Sequence, residues 1–171
     1  METITNTLRD SKVARWSALA VVSFTMLCGY YLTDVMAPLK GLLEGQLNWN
    51  SSEFGFFTSA YGWFNVFLLM LIVGGIILDK MGVRFTGLMA ASIMVAGTFL
   101  KYFAVSTHTL DGQMWHILWF DVKAQVFLAA LGFAIFGVGV EIAGITVSKI
   151  IVKWFKGKEM ALAMGLEMAT A

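Results

Sequence analysis

The stretch GGIILDKMGVR, residues 74–84, places Asp79, Lys80 and Arg84 between two long apolar runs. Its glycines are Gly74, Gly75 and Gly82. A connection this short makes the two apolar runs antiparallel neighbours, and glycines allow a tight turn and close helix packing. Asp79 ends one predicted helix and Arg84 begins the next, which is the reverse of what the helix dipoles favour. We therefore expect groups outside this hairpin to compensate these charges.

The composition is that of a membrane protein. Of the 171 residues, 58% are hydrophobic and 13% charged, and the mean hydropathy is +0.77. The net charge of +1 gives no basic surplus for nucleic acid, and the single cysteine, Cys28, excludes a disulfide framework within the chain. The sequence contains neither a phosphate-binding loop nor an acid and nucleophile arranged around a histidine. We predict no enzyme activity and no cofactor.

Four runs are long enough to cross a bilayer, which takes roughly 20 apolar residues per helix. They are residues 15–35, 54–78, 83–105 and 125–152, and a fifth helix begins near Glu159. The first run lacks the small-residue cleavage site of a signal peptide, which favours an uncleaved helix. The predicted fold is an all-α polytopic bundle, with a cytoplasmic segment at residues 1–14 and transmembrane helices within residues 15–171. We expect the chain to be the N-terminal part of a longer protein.

The basic residues predict the orientation of this bundle. In a four-span topology, nine of the 12 Lys and Arg residues fall on one side: Arg9, Lys12, Arg15, Lys80, Arg84, Lys149, Lys153, Lys156 and Lys158. The other side has Lys40, Lys101 and Lys123. The positive-inside rule then places the N-terminus and the 79–84 connection in the cytoplasm.

Glu141 is the clearest candidate for a solute-binding residue. It lies about eleven residues from the inner end of the fourth run, which is roughly 16 Å deep at 1.5 Å per residue. An ionised acid there costs about 2.5 to 3.5 kcal/mol, so it should face a cavity or a partner. A protonated or ion-paired structural acid, oriented by Lys149, is the alternative.

Three further polar residues are candidates for the same site. Asn65 lies midway along the second run, with Tyr61 one turn before it, and an amide in hydrocarbon seeks partners on another helix or on a solute. Asp34 lies at the outer end of the first run, where a boundary residue and a ligand are equally compatible with its position. The external residues 106–123 contain two histidines without metal-ligand spacing, and we predict an interfacial amphipathic segment and no metal site there.

The pattern Gly75-x-x-x-Asp79-Lys80-x-Gly82-x-Arg84 resembles the signature between the second and third helices of the major facilitator superfamily. Val83 departs from it by replacing the first of two final basic residues. The resemblance implies a bundle of about twelve helices, of which this chain supplies the first part. It also implies that these residues form a gating loop at the cytoplasmic end.

The blocks SAYGWFNV (59–66) and KWFKGKE (153–159), together with Asp34, are similar to the branch of the superfamily that includes the lysosomal dipeptide uniporter of animals. In that branch an intramembrane glutamate lies thirteen residues before the Trp-Phe-Lys-Gly-Lys-Glu part of the second block, as Glu141 lies thirteen residues before Trp154 here. The resemblance implies a secondary transporter that moves a small organic solute, such as a dipeptide, by alternating access. Its partners would be that solute, membrane lipid and the C-terminal bundle of the same protein.

Two other functions stay open at this stage. A small four-helix membrane protein acting as a homo-oligomer would need the chain to be complete. A non-transporting assembly factor would need a partner protein. Uniport and proton coupling are also both compatible with Glu141 and Asp34. We expect a bacterial inner membrane, with an organelle membrane as the alternative.

Overall fold

The computed structural model describes residues 10–110, 112–117 and 120–171. Seven α-helices form in these residues, together with one antiparallel hairpin whose strands are β1 (Met114–Ile117) and β2 (Phe120–Lys123). The helices are α1 (Lys12–Asp34), α2 (Lys40–Leu47), α3 (Ser51–Ser59), α4 (Trp63–Phe67), α5 (Met70–Ser106), α6 (Ala124–Phe155) and α7 (Met160–Thr170). Among them, α1, α5 and α6 are long and apolar enough to cross a membrane. The all-α membrane fold is thus confirmed.

Helix α6 is the centre of the structure. It is the most hydrophobic of the long helices, and most of its side chains are buried against the surrounding helices. A helix that is apolar on all sides belongs in the interior of a bundle. Glu141 therefore lies on the best-buried helix of the chain.

Helix α5 consists of two parts that meet at Gly82, the α5 residue with non-helical backbone angles (φ 79°, ψ 171°). The first part, α5a (70–81), runs parallel to α6, because Gly74 lies at Ile142 and Leu78 at Lys149. The second part, α5b (83–106), runs antiparallel to α6. Its backbone packs tightly against α6 at Gly139 and Gly132. The chain thus reverses at Gly82, and the predicted antiparallel hairpin forms with one residue as its turn.

The predicted helix over residues 54–78 is wrong in its middle. Helix α3 ends at Ser59, a 3-10 turn spans Ala60–Gly62, α4 has five residues, and Leu69 has left-handed backbone angles (φ 49°, ψ 41°) before α5 begins. Apolarity alone does not reveal such a break, because the run contains no proline and its central residues are all compatible with a helix.

The strands β1 and β2 pair antiparallel within residues 106–123, for which the sequence predicted an interfacial amphipathic segment. Their cross-strand pair His116 and Asp121 joins Nδ1 to Oδ1 at 2.8 Å. Lys123, at the end of β2, donates to the Asn48 carbonyl at 2.6 Å and to Glu53 at 3.0 Å. These bonds tie the hairpin to the chain between α2 and α3.

The start of α1 and the end of α6 meet at Arg15, which is 4% exposed. Its guanidinium bonds Glu159 at 3.3 Å and lies 5.8 Å from the centroid of the Phe155 ring. The pKa of Glu159 is lowered from 4.5, chiefly by a hydrogen bond with its own backbone and further by the charges of Arg15 and Lys12. This carboxylate therefore adds stability that is present above about pH 4.5 and lost as the pH falls below it.

Candidate solute-binding site

The carboxylate of Glu141 faces Tyr61, which lies in the 3-10 turn between α3 and α4. The Tyr61 hydroxyl donates a hydrogen bond to Glu141 Oε1 at 2.8 Å. Tyr30 of α1 packs against the same apolar cluster as Tyr61. The acid in the middle of α6 therefore contacts the turn between α3 and α4, and α1 packs nearby.

The close approach of Tyr61 to α6 depends on Gly137, one turn before Glu141. A Cβ atom at Gly137 would lie 2.4 Å from the Tyr61 carbonyl oxygen and 3.0 Å from its ring. The contact with the carbonyl oxygen is shorter than a side chain tolerates and the contact with the ring is tight, so another residue at this position would push Tyr61 away from α6. Gly137 thus places the Tyr61 hydroxyl at the height of Glu141.

Asn65 lies in α4, one turn after Tyr61. Its Nδ2 atom donates to the Tyr61 carbonyl at 3.5 Å, whereas its Oδ1 atom is buried without a hydrogen-bond partner. A buried acceptor left unbonded costs about 1 to 3 kcal/mol. Asn65 therefore has an unbonded acceptor one turn after the tyrosine that contacts Glu141.

Asp34 lies apart from this pair. It is exposed at the end of α1 and lines a separate cavity of about 300 Å³. The cavity is also lined by Tyr30, Glu167, Met168 and Ala171. Tyr30 lines this cavity and also packs against the apolar cluster that Tyr61 contacts. The structure thus brings together three of the four predicted site residues and leaves the fourth at a neighbouring cavity.

The predicted gating loop at residues 75–84 is helical except at Gly82. Lys149 of α6 donates to Asp79 Oδ1 at 2.6 Å and to the Leu78 carbonyl at 3.3 Å. The expectation of a compensating group outside the hairpin is confirmed for Asp79, and Lys149 is engaged there rather than with Glu141. Lys80 and Arg84 are exposed and form no ion pair within the described residues. Gly75 has no atom within 4 Å of a Cβ placed on it.

Sequence reasoning missed two charged residues. Lys101 appears in the sequence as one of the few basic residues on the outer side, yet it is buried between α5b and α6. Glu167 appears as part of an incomplete helix, yet it lines the cavity beside Asp34. Within the described residues, no group of three or more His, Cys, Asp or Glu side chains has a geometry suited to a metal ion.

A carboxylate in the centre of a polytopic helix bundle, at a break in a neighbouring helix, is typical of a membrane transporter. The profile of the Major Facilitator Superfamily matches residues 19–171, and the chain belongs to this family. The protein is accordingly a multi-pass integral membrane protein of a transporter family.

Curated relatives show which named proteins the chain is similar to. The chain is 27% identical to the lysosomal dipeptide transporter MFSD1 of Mus musculus over 158 residues, which are 92% of this chain and 30% of the relative. It is 29% identical to the protein of the same name from Danio rerio over 143 residues, 83% of this chain and 27% of that protein. A probable chloroplastic anion transporter 2 of Oryza sativa subsp. japonica is 30% identical over 154 residues, 90% and 25% of the two chains. The chain thus spans less than a third of each relative. No solved structure was matched.

Proposed function

We propose that this chain supplies the N-terminal helices of a secondary transporter that moves a small solute with a protonated amine, such as a dipeptide, by alternating access. The observation that carries the proposal is the bond from Tyr61 to Glu141 at 2.8 Å, on the most buried helix of the chain. An acid that costs free energy in the membrane is explained if it binds a cationic group during transport.

In this mechanism Glu141 binds the ammonium group and Tyr61 orients the carboxylate. Asn65 accepts a hydrogen bond from the solute through its unbonded Oδ1 atom, and Asp34 attracts the cationic solute at the outer cavity. Gly75, Asp79, Lys80, Gly82 and Arg84 form the inner gate, where Asp79 is held by Lys149 in the conformation described here. The C-terminal helices of the full-length protein would close the site from the opposite side.

The relatives named as dipeptide transporters support this solute class, and their names place them in lysosomes. The rice relative is named as a probable anion transporter. A carboxylate bonded to a single hydroxyl favours a cationic group over an anion, because a second negative charge beside it would be repelled. We therefore propose the cationic amine as the recognised group and an organelle membrane as the location.

The test is Glu141→Gln in the full-length protein, reconstituted in liposomes with radiolabelled alanylalanine inside. Losing a charge-assisted bond of about 1.5 to 3 kcal/mol should weaken binding by about tenfold or more. Asp121→Asn, an acid in the exposed outer hairpin, is the control and should transport normally. Unchanged affinity and rate in Glu141→Gln would refute the site.

A further inference from the structure

Lys101 lies near the outer end of α5b, five residues before its last residue. Lysines near the ends of membrane helices ordinarily extend their ammonium groups towards water. Lys101 does the opposite, because the residue is 9% exposed and its Nζ atom is buried without a hydrogen-bond partner. An ammonium group at this position has to be explained by what it contacts.

The contacts of the Lys101 ammonium are two aromatic rings of α6. Nζ lies 4.6 Å from the ring centroid of Phe133 and 5.0 Å from that of Phe136. A cation–π contact offsets only part of the free energy that burying an ion costs. A methionine of similar length would therefore fit this contact at a lower cost. Stability alone does not account for a lysine here.

Phe133 links the buried ammonium to the candidate site. Its ring stacks on Phe57 with centroids 5.0 Å apart and contacts the Tyr61 ring at 5.5 Å. The Tyr61 hydroxyl in turn donates to Glu141. A continuous series of contacts thus runs from Lys101 through Phe133 and Tyr61 to the carboxylate.

We propose that Lys101 is a positioning residue, which holds Phe133 and thereby fixes Tyr61 where its hydroxyl orients Glu141. The inference rests on the proposed role of Glu141 in binding an ammonium group. It assigns a function to a buried cation that stability does not explain. It predicts that removing the charge impairs recognition of the solute's amine while leaving the fold intact.

The test compares Lys101→Met with Lys101→Arg in the full-length protein. The probes are alanylalanine and its N-acetyl derivative, which lacks the ammonium group. Lys101→Met should weaken alanylalanine binding by about fivefold, the equivalent of a cation–π contact of about 1 kcal/mol. Binding of the acetylated probe and the melting temperature should not fall. Lys101→Arg keeps a cation over the rings and should restore alanylalanine affinity to within about twofold.

Two controls make the result specific. Lys40→Met removes a lysine that also lies over a ring, Phe54 at 5.8 Å, but on the exposed outer surface, and it should bind both probes normally. In a Tyr61→Phe background, Lys101→Met should cause no further loss, because the hydroxyl that it positions is gone.

An equal loss for both probes, a parallel drop in melting temperature, or an undiminished effect in the Tyr61→Phe background would overturn the inference. If Glu141→Gln weakens alanylalanine binding but Lys101→Met does not, this inference fails and the proposed function stands. If Glu141→Gln has no effect, the proposed function itself fails.

Discussion

Helices on two sides of α6 pack against it in different ways. Helix α5b is continuous, and its backbone comes so close to α6 that a Cβ on Gly97 would lie 2.4 Å from the Phe136 nitrogen. The segment from α3 to α5a also packs along α6, but a 3-10 turn and the left-handed Leu69 interrupt it. Thirteen positions separate Tyr61 from Gly74, while their neighbours on α6, Gly137 and Ile142, are five positions apart.

The irregular backbone lies on the side of α6 that contacts the segment from α3 to α5a. A regular helix would rise about 20 Å over thirteen residues, against about 7.5 Å for five residues of α6. Residues 62–69 therefore advance little along α6, and Phe67 within them is 80% exposed. This segment follows Tyr61 and contains Asn65, whereas the regular packing of α5b holds Lys101 against Phe133. The α5b side of α6 is thus regularly packed, whereas the side with α3 to α5a contains the candidate site.

The largest expected effect comes from overpacking the regular side. Gly97→Ala would place a Cβ atom 2.7 Å from the Gly132 carbonyl oxygen as well as against Phe136, so the two helices would have to separate. We expect a loss of about 1 to 3 kcal/mol, seen as a lower denaturant midpoint and melting temperature in detergent. Gly55→Ala, where no atom lies within 4 Å, is the control and should melt like the wild type. Equal melting of both variants would contradict the close packing.

The next effect comes from the turn that joins the two sides. Gly82 has φ 79° and ψ 171°, a conformation that is essentially limited to glycine. Gly82→Ala should therefore cost about 1 to 3 kcal/mol and shift α5a against α5b. Gly75→Ala belongs to the same sequence motif but has open space around it, and should be tolerated. Comparing the melting temperatures of the two variants tests whether this motif needs glycine for its backbone conformation or for packing space.

The two sides also differ in how well the sequence predicts them. Composition and run length predicted the long helices, and the short connection at 79–84 predicted that α5a and α5b are antiparallel. Glu141 was recognisable as a candidate site residue because it is an acid within an apolar run, and the sequence motif identified Asp79 as a candidate gating residue. These features depend on local residue types, and a single sequence records them directly.

The break at residues 60–69 and the burial of Lys101 were not predictable in this way. The break arises because α6 dictates the positions of Tyr61 and Gly74, which are tertiary contacts. Lys101 near a helix end is ordinarily read as a residue that reaches water. Its burial depends on Gly132, where a Cβ would lie 2.7 Å from the backbone nitrogen of Lys101. It also depends on two aromatic rings that lie 32 and 35 residues further along the chain. Long-range packing decided both features.

The smallest expected effect concerns the break itself. Leu69 has φ 49°, and a left-handed conformation costs a residue with a Cβ about 1 to 2 kcal/mol. Leu68, with φ −101°, is its matched control, since the two side chains are 57% and 58% exposed. Leu69→Gly relieves the strained backbone and Leu68→Gly does not, so Leu69→Gly should be the more stable of the two by about 1 kcal/mol. Melting temperatures of both variants measure this difference. The reverse order would mean that the chain through residues 62–69 is a regular helix, and that the site does not lie at an interruption.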